Sequence, residues 1–143
     1  VPGQWAIQTA LGGYQSINDL IAEGGRLRRQ RDLAYALITA IPGVSCVKPS
    51  AALYMFPRLD PDMYPIKNDQ AFILELLQET KVMLVQGTGF NWAKPDHFRI
   101  VFLPHEADLR EAIGRIARCL EIYRTRHEDE RAQASVKLVA TRA

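Results

Sequence analysis

Apolar positions along the chain follow two rhythms, and the changes from one to the other mark out its elements. Spacings of three and four come first. Gln4, Ile7, Gln8 and Leu11 predict a helix stopped by Gly12 and Gly13, and Ile17, Leu20 and Ile21 predict a second within residues 14–22, closed by Gly24 and Gly25. From Arg26 the series Leu27, Leu33, Ala34, Leu37, Ile38 and Ile41 predicts an amphipathic helix with a charged outer face, ended by Pro42 and Gly43. The period then drops to two. Residues 44–48 and 53–56 read as short strands joined by a turn at Pro49 and Ser50, and the proline-rich stretch "PRLDPDMYPIKND" reads as a surface loop.

The alternation of helix and strand pair repeats once more. Asp69 is placed to cap a helix to about residue 79 with Phe72, Ile73, Leu76 and Leu77 as its buried stripe. Residues 82–85 and 97–103 read as strands, and 106–126 as a long helix with Leu109, Ile113, Ile116, Ala117, Leu120 and Tyr123 facing inward. Beyond that the periodicity fades, and residues 128–143 are expected to be a mobile tail. The order α-ββ-α-ββ-α predicts an α+β fold, a small antiparallel or mixed sheet with helices covering one face.

Composition narrows the function classes more than it selects among them. The chain has 143 residues, 48% hydrophobic and 24% charged, enough for one domain with a real core. A formal charge of +2 is too small to imply a nucleic-acid partner, and no apolar run approaches the roughly 20 residues a membrane span needs. Cys46 and Cys119 lie far apart in apolar surroundings, which predicts reduced, packed thiols of a cytoplasmic protein. His97, His105 and His127 have no ligand spacing, so no metal site is expected and solvated imidazoles are the default. The "GTGF" glycines lack a following lysine and lead toward a strand, which argues against a phosphate cradle. The opening residues start a helical pattern at once, as expected of a piece of a longer protein.

One residue resists the pattern. Arg99 stands inside "HFRIVFL", where Phe98, Ile100 and Phe102 share one face and His97, Arg99 and Val101 the other. The first set faces a core; the second faces either water or a cleft. A guanidinium in half-buried surroundings needs an anion, its planar fork suits a carboxylate, and no acidic residue in the strand supplies one.

Three blocks, "VPGQWAIQTALGGYQSI", "IPGVSCVKPSAALYMFPRLD" and "LVQGTGFNWAKPDHFRIVFLP", resemble the C-terminal part of fold-type I, pyridoxal-phosphate-dependent class I/II aminotransferases, nearest the alanine (glutamate–pyruvate) transaminase branch. The resemblance runs from Val1 to about His127. It implies residues 1–25 as a connecting segment from a large domain outside this chain, 26–127 as the small C-terminal domain, and 128–143 as tail. It implies Arg99 as the substrate α-carboxylate clamp, Tyr54 and Phe56 as pocket lining, and Phe90 and Asn91 at the entrance. It further implies pyridoxal 5'-phosphate in the full-length enzyme, amino-acid and 2-oxo-acid substrates, and a cytoplasmic homodimer. The lysine and aspartate that hold the cofactor belong to the large domain. None of Lys48, Lys67, Lys81, Lys94 and Lys137 stands in the required Ser-Lys context, so no catalytic or cofactor-binding residue is expected here. Ala51 replaces a common glycine, implying no positive φ there, and Gly89 replaces a small non-glycine, implying a looser loop beside Arg99. Two other readings stay open: a stand-alone module binding a small carboxylate, and a lyase or decarboxylase using the same cofactor.

Overall fold

The structure is a computed structural model that describes residues 1–51 and 53–140, with side chains of the last helix described up to Glu128. Among the described residues are five helices and five strands, one strand more than predicted: α1 Pro2–Gly12, α2 Ile17–Ile21, α3 Arg26–Thr39, β1 Val44–Ser45, β2 Tyr54–Met55, β3 Arg58–Leu59, α4 Asp69–Thr80, β4 Val85–Gln86, β5 Phe98–Val101 and α5 Glu106–Ala140. The fold is α+β, with every pairing antiparallel. The strands form two sheets rather than one. β1 pairs with β3, and β5 lies in the middle of the order β2-β5-β4.

The core forms where the helical stripes meet one face of β5. α3 buries Leu27, Gln30, Ala34 and Ile38, and α5 buries Leu109, Ile113, Ile116 and Leu120. Phe98, Ile100 and Phe102 join this cluster with Met55 and Leu59, so the predicted alternation holds through β5. Gln30 is the exception on the α3 stripe. Its amide Nε2 donates to the carbonyls of Leu103 (3.1 Å) and Pro104 (2.6 Å), which ties α3 to the exit of β5.

Three details depart from the sequence reading. The proline-rich stretch is not only surface loop: it contains β3, and Tyr64 is buried with its hydroxyl donating to the Pro42 carbonyl at 2.6 Å. Gly43 permits that packing. It has φ +73°, and a Cβ there would lie 2.6 Å from Met63 Sδ and 2.9 Å from Tyr64 Cε2. The cap of α4 is Asn68 rather than Asp69, its side chain accepting from the Ala71 amide at 3.0 Å. Asn68→Ala should therefore lower stability by about 1 kcal/mol, read as a shift of the urea midpoint at unchanged slope.

The last helix continues to Ala140, past the point where a mobile tail is expected. "EDERAQASVKLVA" lost the core periodicity but contains no glycine or proline and is rich in strong helix formers, so the backbone stays helical. Residues 141–143 of the expected tail lie outside the described residues. At the other end, α1 buries no residue, and Trp5, Ile7, Leu11 and Tyr14 are exposed.

Candidate functional site

The site is built on the non-core face of β5. Register places Val85 opposite Arg99 on one side and Tyr54 opposite Val101 on the other, so these side chains rise together from the middle of the sheet. The Arg99 guanidinium carbon lies 4.6 Å from the centre of the Tyr54 ring and 4.4 Å from that of Phe90. Two aromatic faces thus hold the cation, each contributing on the order of 1 kcal/mol where water is excluded. Arg99 Nε is buried without a hydrogen-bond partner, and among the described residues no carboxylate forms an ion pair with the guanidinium. A buried donor left unpaired costs roughly 1–3 kcal/mol. The arrangement is a planar fork held between rings, with its anion still to come.

The predicted neighbours fall into place unevenly. Phe90 and Tyr54 contact the guanidinium directly, while Phe56 backs Phe90 edge-on with ring centres 6.2 Å apart. Asn91 is exposed and serves through its backbone. It ends the single 3₁₀ turn Gly87–Phe90 in the left-handed region (φ 59°), its amide donating to the Thr88 carbonyl at 3.1 Å.

That turn is pinned from two sides. Asp69, freed from the capping role, is buried at the start of α4 and accepts from the Thr88 amide (2.9 Å) and hydroxyl (2.8 Å). The Gly87 amide donates to the His97 carbonyl at 2.8 Å, and a Cβ on Gly87 would meet that same oxygen at 2.8 Å. The Gly87 and Thr88 amides are thus committed to the protein. Gly89 has room for a side chain, since the nearest atoms a Cβ there would meet are those of Gln86 at 3.6 Å, and Ala51 is not among the described positive-φ residues.

Sequence reasoning missed the residues behind the aromatic wall. Asp96 is buried, and its Oδ1 accepts from Trp92 Nε1 (3.0 Å) and pairs with His97 Nδ1 (2.7 Å), while Oδ2 accepts from Arg58 Nε (3.3 Å). His97 is therefore not a solvated imidazole: its side chain is 11% exposed, and it stacks on Phe56 with centres 4.9 Å apart. The signal was partly present, since His97 shares the face of Arg99. Burial alone would raise the Asp96 carboxyl, but hydrogen bonds from His97, Trp92 and Arg58 outweigh it and hold it below the ordinary carboxylate value.

A depressed folded-state pKa means that the charged form is favoured by folding. The stability this contributes is complete above the unfolded carboxylate pKa and disappears as pH falls through the lower, folded value. Asp96→Asn should thus lower the urea midpoint at neutral pH, with the gap from the unaltered chain closing in acid below the usual carboxylate range. Elsewhere the candidates stay quiet. Cys46 and Cys119 are unpaired and half-buried, and burial pushes both thiols above the ordinary value. Among the described residues no group of His, Cys, Asp or Glu could hold a metal ion, and no helix is long and apolar enough to cross a membrane.

Comparison with known families adds the deciding observation: the profile of aminotransferase class I and II matches residues 1–116. The chain belongs to that family. Glutamate-pyruvate aminotransferase AlaA of Haemophilus influenzae is 59% identical over 124 residues, covering 87% of this chain and 31% of that protein. Alanine aminotransferase of Mycobacterium tuberculosis is 56% identical over 124 residues, covering 87% and 29%. The crystal structure of an aminotransferase from Escherichia coli superposes with a TM-score of 0.82 at 56% identity, over 87% of this chain and 31% of that one. This aminotransferase segment therefore spans under a third of the length of these relatives. Arg99, the rings around it and the Asp96 network all fall within the matched residues.

Proposed function

We propose that this chain is the substrate-carboxylate-binding, C-terminal part of a pyridoxal-phosphate-dependent aminotransferase that works between alanine and 2-oxoglutarate or similar pairs. The observation that carries the reading is Arg99, a guanidinium fixed between Tyr54 and Phe90 with a buried, unpartnered Nε. A substrate α-carboxylate completes it by bidentate contact. Tyr54 and Phe56 line the substrate's approach, and Phe90 and Asn91 border its entrance. The identity to relatives named as alanine and glutamate-pyruvate aminotransferases supports the choice of substrates.

Two of the lysines and two of the loop amides are already engaged within the chain. Lys48 Nζ is paired with Asp32 at 2.8 Å, Lys81 Nζ donates to the Gln78 carbonyl at 2.7 Å, and the Gly87 and Thr88 amides are already bonded. On this reading the electron sink and the reactive amine are supplied by the full-length protein outside this chain. What this chain does is orient: Arg99 holds one end of the substrate so that the reacting bond is presented in a fixed direction. Location in the cytoplasm and pairing into a homodimer complete the reading, supported by the two unpaired thiols and by the apolar, uncovered α1.

Amino transfer by the full-length protein across a panel of amino acids and 2-oxo acids tests the proposal. Alanine and glutamate should be the preferred donors, with stoichiometric consumption of the oxo acid. Carbon dioxide or sulfide release without oxo-acid consumption would instead assign a decarboxylase or lyase.

A further inference from the structure

We propose that Asp96 is a positioning residue for the Arg99 clamp, acting through the aromatic wall formed by Trp92, His97, Phe56 and Phe90. The inference rests on the reading of Arg99 as the carboxylate-binding group. Four observations lead to it.

The first is where the donors to Asp96 lie. His97 immediately precedes β5, two residues before Arg99, Trp92 lies in the loop before it, and Arg58 bridges to His97 from β3. This buried carboxylate therefore organises the binding face; it is not part of the hydrophobic core cluster on the other side.

The second is a continuous path of contacts. Asp96 Oδ1 fixes the His97 ring and the Trp92 indole, whose centres lie 4.5 Å apart. Phe56 stacks on His97 at 4.9 Å and meets Trp92 edge-on at 5.8 Å. Phe56 in turn meets Phe90 at 6.2 Å, and Phe90 lies 4.4 Å from the guanidinium carbon. Each ring is set by the one before it.

The third is that Phe90 needs such backing. Both rings are about half exposed, Tyr54 46% and Phe90 44%, but Tyr54 rises from a paired strand whereas Phe90 ends a 3₁₀ turn outside the sheet. Without Phe56 behind it, its ring is free to change tilt, and the plane of the stacked guanidinium turns with it. A bidentate contact is sensitive to that plane in a way that a point charge is not.

The fourth concerns charge. Asp96 stands three residues before Arg99, near enough in sequence to compete for it. Its oxygens are instead occupied by Arg58, Trp92 and His97, so the clamp stays open for an external carboxylate.

A residue acting this way should alter carboxylate affinity far more than the chemical step. The test uses the full-length, cofactor-loaded protein and propionate, which carries a carboxylate but no amino group. Propionate Kd is measured by titration calorimetry and alanine KM and kcat by steady-state kinetics, for Asp96→Asn, Arg99→Lys and the double variant. Asp96→Asn is expected to raise propionate Kd and alanine KM at least about threefold while kcat changes less than about threefold. On the Arg99→Lys background the same change should add less than about twofold, because both act on one fork. A folded Asp96→Asn protein with Kd changed less than about threefold, or an undiminished effect on the Arg99→Lys background, overturns the positioning role and leaves the clamp standing. Arg99→Lys without effect on Kd would remove the clamp, and Asp96's role with it. If Asp96→Asn does not fold, Trp92→Phe carries the test, since it removes one donor to Asp96 and keeps a ring. It should raise propionate Kd at least about twofold, and an unchanged Kd overturns the proposal.

Discussion

Arg99→Ala in the full-length protein should lower kcat/KM for amino-acid substrates by roughly 30-fold to several thousand-fold, the equivalent of about 2–5 kcal/mol of transition-state binding. The range follows from what is removed. The guanidinium stands without a protein anion among the described residues, held 4.4–4.6 Å from two ring centres, so its loss leaves the substrate carboxylate without its partner. Arg99→Lys should fold normally and still lose most of the affinity. An ammonium restores the charge but neither the fork nor its stacking between Tyr54 and Phe90. Both variants should leave stability nearly unchanged or slightly raised, since removing a buried unpaired donor relieves a cost. A kcat/KM within about threefold of the unaltered protein for Arg99→Ala would show that the carboxylate is held elsewhere.

The preceding residue of the strand should behave in the opposite way. Phe98→Ala is expected to destabilise the chain by about 3–5 kcal/mol, a large share of the roughly 5–15 kcal/mol available to a domain. Phe98 is 1% exposed in the cluster that joins β5 to the stripes of α3 and α5, so the cavity it leaves is lined by rigid neighbours. The urea midpoint should fall sharply, whereas the equivalent change at exposed Val101 should move it little. Neighbouring residues of one strand would thus separate cleanly, one acting on stability and one on binding.

That separation was legible in the sequence, because strand alternation is a local property and Phe98, Ile100 and Phe102 leave no doubt which face is buried. The helical stripes of α3, α4 and α5 were legible for the same reason. What was hidden depends on pairing at a distance. β3 is two residues long between Pro57 and Pro61 and exists through its partners in β1 and the bridge from Arg58 to His97. Asn68 and Asp69 are adjacent residues with equal capping chemistry. The choice between them was made by Thr88, which takes up both oxygens of Asp69 from 19 positions away.

The candidate site divides along the same line. Arg99 stood out because a permanent charge interrupted an apolar run, and its family resemblance gave it a role. Asp96 did not stand out, since "KPD" reads as an ordinary turn and its burial depends on Arg58, 38 residues earlier. His97 was visible on the right face, but its default as a solvated group failed because Asp96, Trp92 and Phe56 enclose it. The final helix shows the converse case: the apolar periodicity fades after residue 126, while helix propensity carries the backbone on to Ala140.

The central claim is that Arg99 is a preformed fork whose partner is a substrate carboxylate, and its Nε–H reports on that directly. In full-length protein labelled with ¹⁵N-arginine, the Arg99 Nε resonance can be assigned by its loss in Arg99→Lys. Saturating propionate should shift this one signal downfield while propanol leaves it in place. A signal that does not move with propionate, in protein that still transfers amino groups, would contradict that claim.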